Sequence, residues 1–296
     1  MSDLVSLLDL ADLAVARSEG VVPAEARREL ADVVLRSRRK FGHVGEVLVV
    51  ALAGGTGSGK SSLINALLGE DVVRIGVVRP TTDAAQAVIP RMKSDTYTQL
   101  LRDLSIDDRI ETSALKSTIL VDLPDFDSTE TAHRHIVESV LPAVDAVIWV
   151  FDPEKYSDAV AHVEFLAKLV SYEGQFVFAL NKTDLIGTDT ERVVEDLTRL
   201  LVLDGFAEPE VIPTVANGQN IDVSLLVATL LARLDRKRTV ISKLVTDLRL
   251  AATAGWASAC GAADADADQE RRDEAGLSAA TFVWLGMEAI ALLEEG

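Results

Sequence analysis

Hydrophobic and polar positions divide the chain into helical ends and a strand-rich middle. Over residues 1–45, Leu4, Leu8, Ala11 and Val15 recur at i, i+4, i+7 and i+11, which places them on one helical face. Gly20 and Pro23 break that run, and a second helix from about Ala24 to Lys40 carries Leu30, Val33 and Val34. The pattern then changes to short, continuous apolar runs rich in β-branched residues: Val47–Ala53, Thr118–Val121, Ala146–Phe151, Gln175–Leu180 and Val211–Val215. A further strand is expected near Ala87–Pro90, after a turn at Arg79-Pro80. Runs without polar alternation predict strands buried on both faces of a parallel sheet, and the stretches between them are long enough for crossover helices.

From Ile221 the chain turns helical again. Val227, Leu234, Ile241 and Leu248 repeat at heptad spacing, with Leu230, Leu244 and Ala251 as companions and Lys237 interrupting the second row. Such a seam wants a partner helix, for which the N-terminal apolar face is the candidate; a helix packed on its own domain would carry the same pattern. The expected organisation is therefore N-terminal helices over 1–45, an α/β domain over 46–220 with a mostly parallel, doubly wound sheet, and a C-terminal helical segment over 221–296. The two helical ends are candidates for one bundle.

Composition narrows the classes of partner. With 48% apolar positions, 296 residues can fill a real core. A net charge of -18 argues against a nucleic-acid partner and opposes simple electrostatic docking on anionic lipid. The one cysteine, Cys260, cannot form an internal disulfide, which fits a reducing, cytoplasmic setting. Met1-Ser2-Asp3 does not begin a signal-peptide pattern. Leu277–Leu293, about 17 residues and carrying Glu288, is short for a membrane span and reads as a packed helix. The biased stretch 261–275 reads as a solvated helix or linker.

The chemistry begins after the first strand. Gly54-Gly55-Thr56-Gly57-Ser58-Gly59-Lys60-Ser61 fits the spacing G-x-x-x-x-G-K-S/T in full, and Ser62-Leu63-Ile64-Asn65-Ala66-Leu67-Leu68 continues it as a helix. Glycines allow successive backbone N–H groups to point inward at phosphate oxygens, with the helix dipole assisting. Lys60 is expected to neutralise β- and γ-phosphates, and Ser61 to offer its hydroxyl oxygen to Mg2+; Ser62 adjoins the same set.

A phosphate loop alone does not choose a base. Asn181-Lys182-Thr183-Asp184 follows a strand, on the side of an α/β sheet where ligands bind. An Asp184 carboxylate can accept hydrogen bonds from guanine N1–H and the exocyclic amine, a donor pair that adenine lacks. Lys182 would lay its aliphatic stem along the base, and Asn181 would brace the loop.

With these two motifs the chain resembles the translation-factor-related (TRAFAC) class of P-loop GTPases, over roughly residues 46–220. The resemblance implies GTP and GDP as ligands with Mg2+, and a GTPase activity. It places the fifth motif at Pro213-Thr214-Val215-Ala216-Asn217-Gly218, where Ala216 would offer its backbone N–H to the guanine carbonyl oxygen; Val215 and Asn217 depart from the usual neighbours. It places the second at Arg79-Pro80-Thr81-Thr82, with Thr82 favoured as Mg2+ and γ-phosphate ligand and Thr81 the alternative. The third is Asp122-Leu123-Pro124-Asp125, in which Asp122 would hold Mg2+ through a water. Lys60, Thr82 and Asp122 are then the expected catalytic set.

Two departures bear on rate. Asp125 stands where the class has glycine, and Phe126 stands where many members carry a water-orienting glutamine. A phenyl ring cannot polarise water, so slow intrinsic hydrolysis is expected, with stimulation by another group, a cation or a partner. His133, Arg134 and His135 follow, with a solvated helix face as their plainer role. The Pro80-Thr81-Thr82 run, the proline of Asp-Leu-Pro-Asp and the flanking helices resemble the Era-like and bacterial dynamin-like branch. That resemblance implies a nucleotide-dependent homodimer and association with the inner face of a membrane. An Era-like ribosome- or RNA-linked GTPase and a non-hydrolysing GTP-gated module are the alternatives. Asp152, Glu154, Lys155 and Tyr156 are candidates for a dimer contact, while Trp149, Trp256 and Trp284 read as packing residues. His43 and His162 are isolated and lack metal-ligand spacing.

Overall fold

The computed structural model describes residues 4–19, 22–41, 47–74, 85–91, 97–124, 140–217 and 220–262. Contacts divide the chain into two compact units, Val47–Arg233 and Met1–Glu46 with Leu234–Gly296.

In the first unit, seven strands form one sheet: β1 Leu48–Ala53, β2 Gln86–Pro90, β3 Asp108–Thr112, β4 Thr118–Asp122, β5 Ala146–Phe151, β6 Phe176–Leu180 and β7 Val211–Pro213. Their order is β3-β2-β4-β1-β5-β6-β7. All pairings are parallel except β2 against β4, which is antiparallel. The expected mostly parallel sheet is therefore present. Every residue of β1, β5 and β6 is buried, which is why these strands read as unbroken apolar runs. Central β1 pairs with β4 on one side and β5 on the other, so the loops leaving these strands meet at one sheet edge.

Two elements depart from the sequence pattern. β3 is Asp-Arg-Ile-Glu-Thr, with Asp108, Arg109 and Glu111 exposed, so apolar periodicity could not reveal it. β7 stops at Pro213: Thr214 N–H still donates to the Leu180 carbonyl oxygen of β6 at 2.8 Å, but Val215 leaves the sheet and bridges Asp222 instead. Helices α3 Lys60–Leu68, α4 Thr98–Asp103 and α5 Thr190–Asp204 accompany the sheet, with a π-helical segment Val160–Leu166 after β5. The rings of Phe151, Phe176, Phe178 and Phe206 pack around β5 and β6 at centroid distances of 5.0–6.3 Å. Trp149 is buried within β5.

The second unit contains α1 Leu4–Arg17, α2 Ala24–Phe41 and the part of α6 beyond Arg233; α6 runs Ser224–Ala262 without interruption. One buried cluster joins Leu7, Leu8 and Ala11 with Leu30, Val33 and Val34 and with Ile241, Val245 and Leu248. Each leucine, valine or isoleucine among them contributes roughly 2 kcal/mol by leaving water. The inward faces are rotated slightly from the sequence reading. Ala14 is buried and Val15 only partly so, while Val245 and Ala252 replace Leu244 as fully buried members. An ordinary 3.6-residue repeat turns the face in this way, where a strict heptad would not. Arg38 ties α2 to α1 through Asp9 at 2.5 Å and Asp12 at 2.7 Å.

Within the first unit, the start of α6 is fastened twice. Asp222 accepts both the Ser224 N–H at 3.1 Å and its hydroxyl at 2.7 Å, which holds the Asp222 carboxyl below its ordinary value. Arg233 donates to the carbonyl oxygens of Gly174 at 3.0 Å and Phe176 at 2.9 Å.

Candidate functional site

The loop after β1 turns on two glycines where any side chain meets both an unfavourable backbone angle and an obstruction. Gly54 has φ 146° and Gly59 has φ 93°; a Cβ on Gly54 would collide with the Val150 carbonyl oxygen, and one on Gly59 with the Asn181 side-chain amide. The loop can therefore lie flat against β5 and against the loop after β6. Lys60, the first residue of α3, is buried and donates to the Gly54 carbonyl oxygen at 3.0 Å, so its side chain curls back across the loop. Ser58 Oγ is also buried and has no hydrogen-bond partner among the described residues.

Ser61 Oγ donates to Asp122 Oδ2 at 2.7 Å, which joins the start of α3 to the end of β4. Asp122 is 1% exposed, and the chain beyond it is held by Leu123 N–H on the Leu52 carbonyl oxygen at 3.1 Å. A hydroxyl and a carboxylate oxygen side by side are hard donors, and this set fits Mg2+.

The loop after β6 locks onto the phosphate loop. Asn181 is buried, donates through Nδ2 to the Ser58 carbonyl oxygen at 3.0 Å, and accepts from Thr214 Oγ1 at 3.3 Å. Lys182 adopts φ 61° and sends Nζ to the Gly57 carbonyl oxygen at 2.5 Å and to Asp152 Oδ2 at 2.6 Å. Thr183 donates N–H and Oγ1 to the Thr214 carbonyl oxygen at 3.3 and 3.2 Å, tying this loop to the one after β7. Asp184 sits exposed in the short turn Thr183–Leu185. Val215 and Asp222 exchange backbone hydrogen bonds at 2.8 and 2.9 Å, and Ala216 beside them is buried.

Direct contacts thus join Gly57 of the phosphate loop with Lys182, Ser58 with Asn181 and Ser61 with Asp122, while Lys60 folds back onto Gly54. Ser62 is half-buried in the first turn of α3. Thr81, Thr82, Asp125, Phe126, His133, Arg134 and His135 lie outside the described residues, as do His43, Trp284 and the segment Leu277–Leu293. Sequence reasoning missed two things. Asp152 is the salt-bridge partner of Lys182. His162 is buried, with Nδ1 against Asp204, Nε2 2.7 Å from the Tyr156 carbonyl oxygen and its ring stacked on Phe151. Tyr156 also donates its phenol to Asp196 at 2.9 Å. Burial, then this bond, raises the Tyr156 phenol above its ordinary value; Arg199, then Tyr156, hold Asp196 below its own.

Residues 49–182 match the family model described as 50S ribosome-binding GTPase. A probable transmembrane GTPase, FZO-like and chloroplastic, from Arabidopsis thaliana is 26% identical over 144 residues, which is 48% of this chain and 16% of that protein. A solved structure of an oligomerised bacterial dynamin pair, described as a mechanism for long-range sensing and tethering of membranes, aligns with a TM-score of 0.53 at 15% identity. The alignment covers 84% of this chain and 54% of that one. A second structure of the pair gives 0.52, with 86% and 56% covered. The chain spans less than two thirds of each of these proteins, and the likeness to the dynamin pair is one of fold.

Proposed function

We propose that this chain, which carries a P-loop GTPase domain over residues 49–182, binds GTP and GDP with Mg2+ and hydrolyses GTP slowly, stimulated by self-association. The observation that carries the reading is the Asn181–Ser58 hydrogen bond at 3.0 Å, because it fixes the phosphate-binding and base-reading loops as one receptor for a single nucleotide. Backbone N–H groups of Gly55–Ser61 would receive the phosphates, with Lys60 balancing their charge. Asp184 would accept from the guanine edge, and Ala216 would meet its carbonyl oxygen. Ser61, Asp122 and Thr82 would hold Mg2+, which when bound supplies positive charge to the β- and γ-phosphate oxygens. Calorimetric titration with GDP, a GTP analogue and ATP, with and without Mg2+, tests this. Preference for ATP, or no dependence on Mg2+, would refute it.

The slow, stimulated hydrolysis rests on Phe126, which cannot polarise the attacking water, and on Asp125, a carboxylate that the γ-phosphate repels where the class has glycine. Turnover per molecule should rise with protein concentration. Fast turnover independent of concentration would count against self-stimulation, and no single-turnover hydrolysis at all would favour a GTP-gated binding module.

For cellular setting we favour the cytoplasmic surface of a membrane, following the dynamin-like fold and the membrane proteins among the relatives. No helix among the described residues is long and apolar enough to cross a bilayer. The ribosome in the family's description is the second reading; the net charge of -18 opposes docking on RNA phosphates. Flotation with liposomes against co-sedimentation with ribosomes separates the two.

A further inference from the structure

Asp152 follows β5 and lies outside the nucleotide-binding motifs read from the sequence. Its Oδ2 lies 2.6 Å from Lys182 Nζ, and its Oδ1 accepts the Glu154 backbone N–H at 2.8 Å. Both oxygens are therefore committed, and the residue is 9% exposed. The Lys182 ammonium is in turn stretched between this carboxylate and the Gly57 carbonyl oxygen, two anchors on loops that leave different strands. Its backbone holds a left-handed conformation, φ 61°, that a residue with a Cβ adopts only when its surroundings impose it.

The carboxylate is itself held in place. Lys155 N–H closes a turn onto the Asp152 carbonyl oxygen at 2.9 Å. Farther along the same loop, Tyr156 is fastened by its phenol to Asp196 and by its carbonyl oxygen to His162. The loop that presents Asp152 is thus tied to α5 before any ligand arrives, the kind of support that keeps a site geometrically defined. A lysine ammonium is a compact, strongly hydrated charge on a flexible stem. With only the Gly57 carbonyl to hold it, that stem would sample many rotamers; with Asp152 it has one resting place, shielded enough to outlast an open surface pair.

We propose that Asp152 is a positioning residue for nucleotide retention: it pins the Lys182 ammonium over the phosphate loop and so sets the lysine stem as a fixed wall of the slot that receives the base. The proposal rests on the guanine-nucleotide reading above and deepens it. Asp184 selects the base, and Asp152 governs how long the base stays. Since GDP and GTP share that base, their release responds to Asp152 alike.

The test is stopped-flow release of a fluorescent GDP and a fluorescent GTP analogue from the full chain. Asp152→Ala should release both about tenfold faster, the scale of one partly shielded ion pair. Asp152→Asn, which keeps an acceptor for the Glu154 N–H but loses the charge, should release nearly as fast with an unchanged melting temperature. In a Lys182→Met background, which keeps the stem without the ammonium, adding Asp152→Ala should change the rate less than about twofold, because the two residues act as a unit. Wild-type release rates in Asp152→Ala and Asp152→Asn, or full additivity in the double variant, overturn the proposal alone. A wild type that binds no fluorescent guanine nucleotide overturns the functional reading together with it.

Discussion

Asn181 reaches across the sheet edge to donate its side-chain amide to the Ser58 carbonyl oxygen at 3.0 Å, although the two residues lie 123 positions apart. The contact needs room, and Gly59 supplies it, since a Cβ there would meet the same amide. The phosphate loop is thereby registered against the base-reading loop by backbone shape as much as by side chains.

Gly59→Ala tests that registration. The variant must strain a backbone at φ 93° and displace Asn181. A cost of about 1–3 kcal/mol in chemical denaturation is expected. GDP affinity by calorimetry should fall by more than stability alone explains, because the two loops separate.

Asp184→Ala should lower GDP affinity about 100-fold, since two hydrogen bonds to a carboxylate are lost. ATP affinity should change little. Competition against a fluorescent nucleotide reads both, and retained guanine preference would remove Asp184 from the base-reading role.

Leu248→Ala removes a fully buried side chain from the cluster that joins α1, α2 and α6. Urea unfolding should show a loss of about 2–5 kcal/mol. Nucleotide affinity at low temperature should remain close to wild type, because the residue lies in the other compact unit.

Arg233→Met keeps much of the aliphatic stem but gives up the bonds to the Gly174 and Phe176 carbonyl oxygens. Differential scanning fluorimetry should show a lower melting temperature, reflecting a stability loss on the order of 1–2 kcal/mol for a partly exposed guanidinium.

Alkaline pH should act through Tyr156. Its phenol is raised, chiefly by burial, so the folded chain favours the protonated form. That stabilisation is complete below the ordinary tyrosine value of 10.0 and is lost as pH climbs through the raised one. Wild type should therefore lose more stability than Tyr156→Phe between about pH 9 and about pH 11. Asp196 works in the opposite sense: its lowered carboxyl contributes above the ordinary aspartate value and is lost on acidification.

What the sequence disclosed, and what it hid, follows from burial and distance. β1, β5 and β6 are buried throughout, so their composition alone marks them. β3 is largely solvated and reads as a charged loop. At the site, motifs identify Lys60, Ser61, Asp122, Asn181 and Lys182, because phosphate binding and base reading depend on local backbone shape. The Lys182–Asp152 pair spans 30 positions and two strands, and only the order of β5 beside β6 brings it together. His162 looked isolated for the same reason: Asp204 is 42 positions away.

Among the described residues the sheet ends on β3 and β7. One rim bears Asp108, Arg109 and Glu111, and the other is a three-residue strand closed by Pro213, which has no N–H to donate. Such margins refuse a foreign strand: charge makes the first a poor template, and brevity with proline disarms the second. Through these two described margins, two copies could not readily merge their sheets into one continuous ribbon. Any reversible encounter through the described sheet would have to be built from loops and helix faces instead.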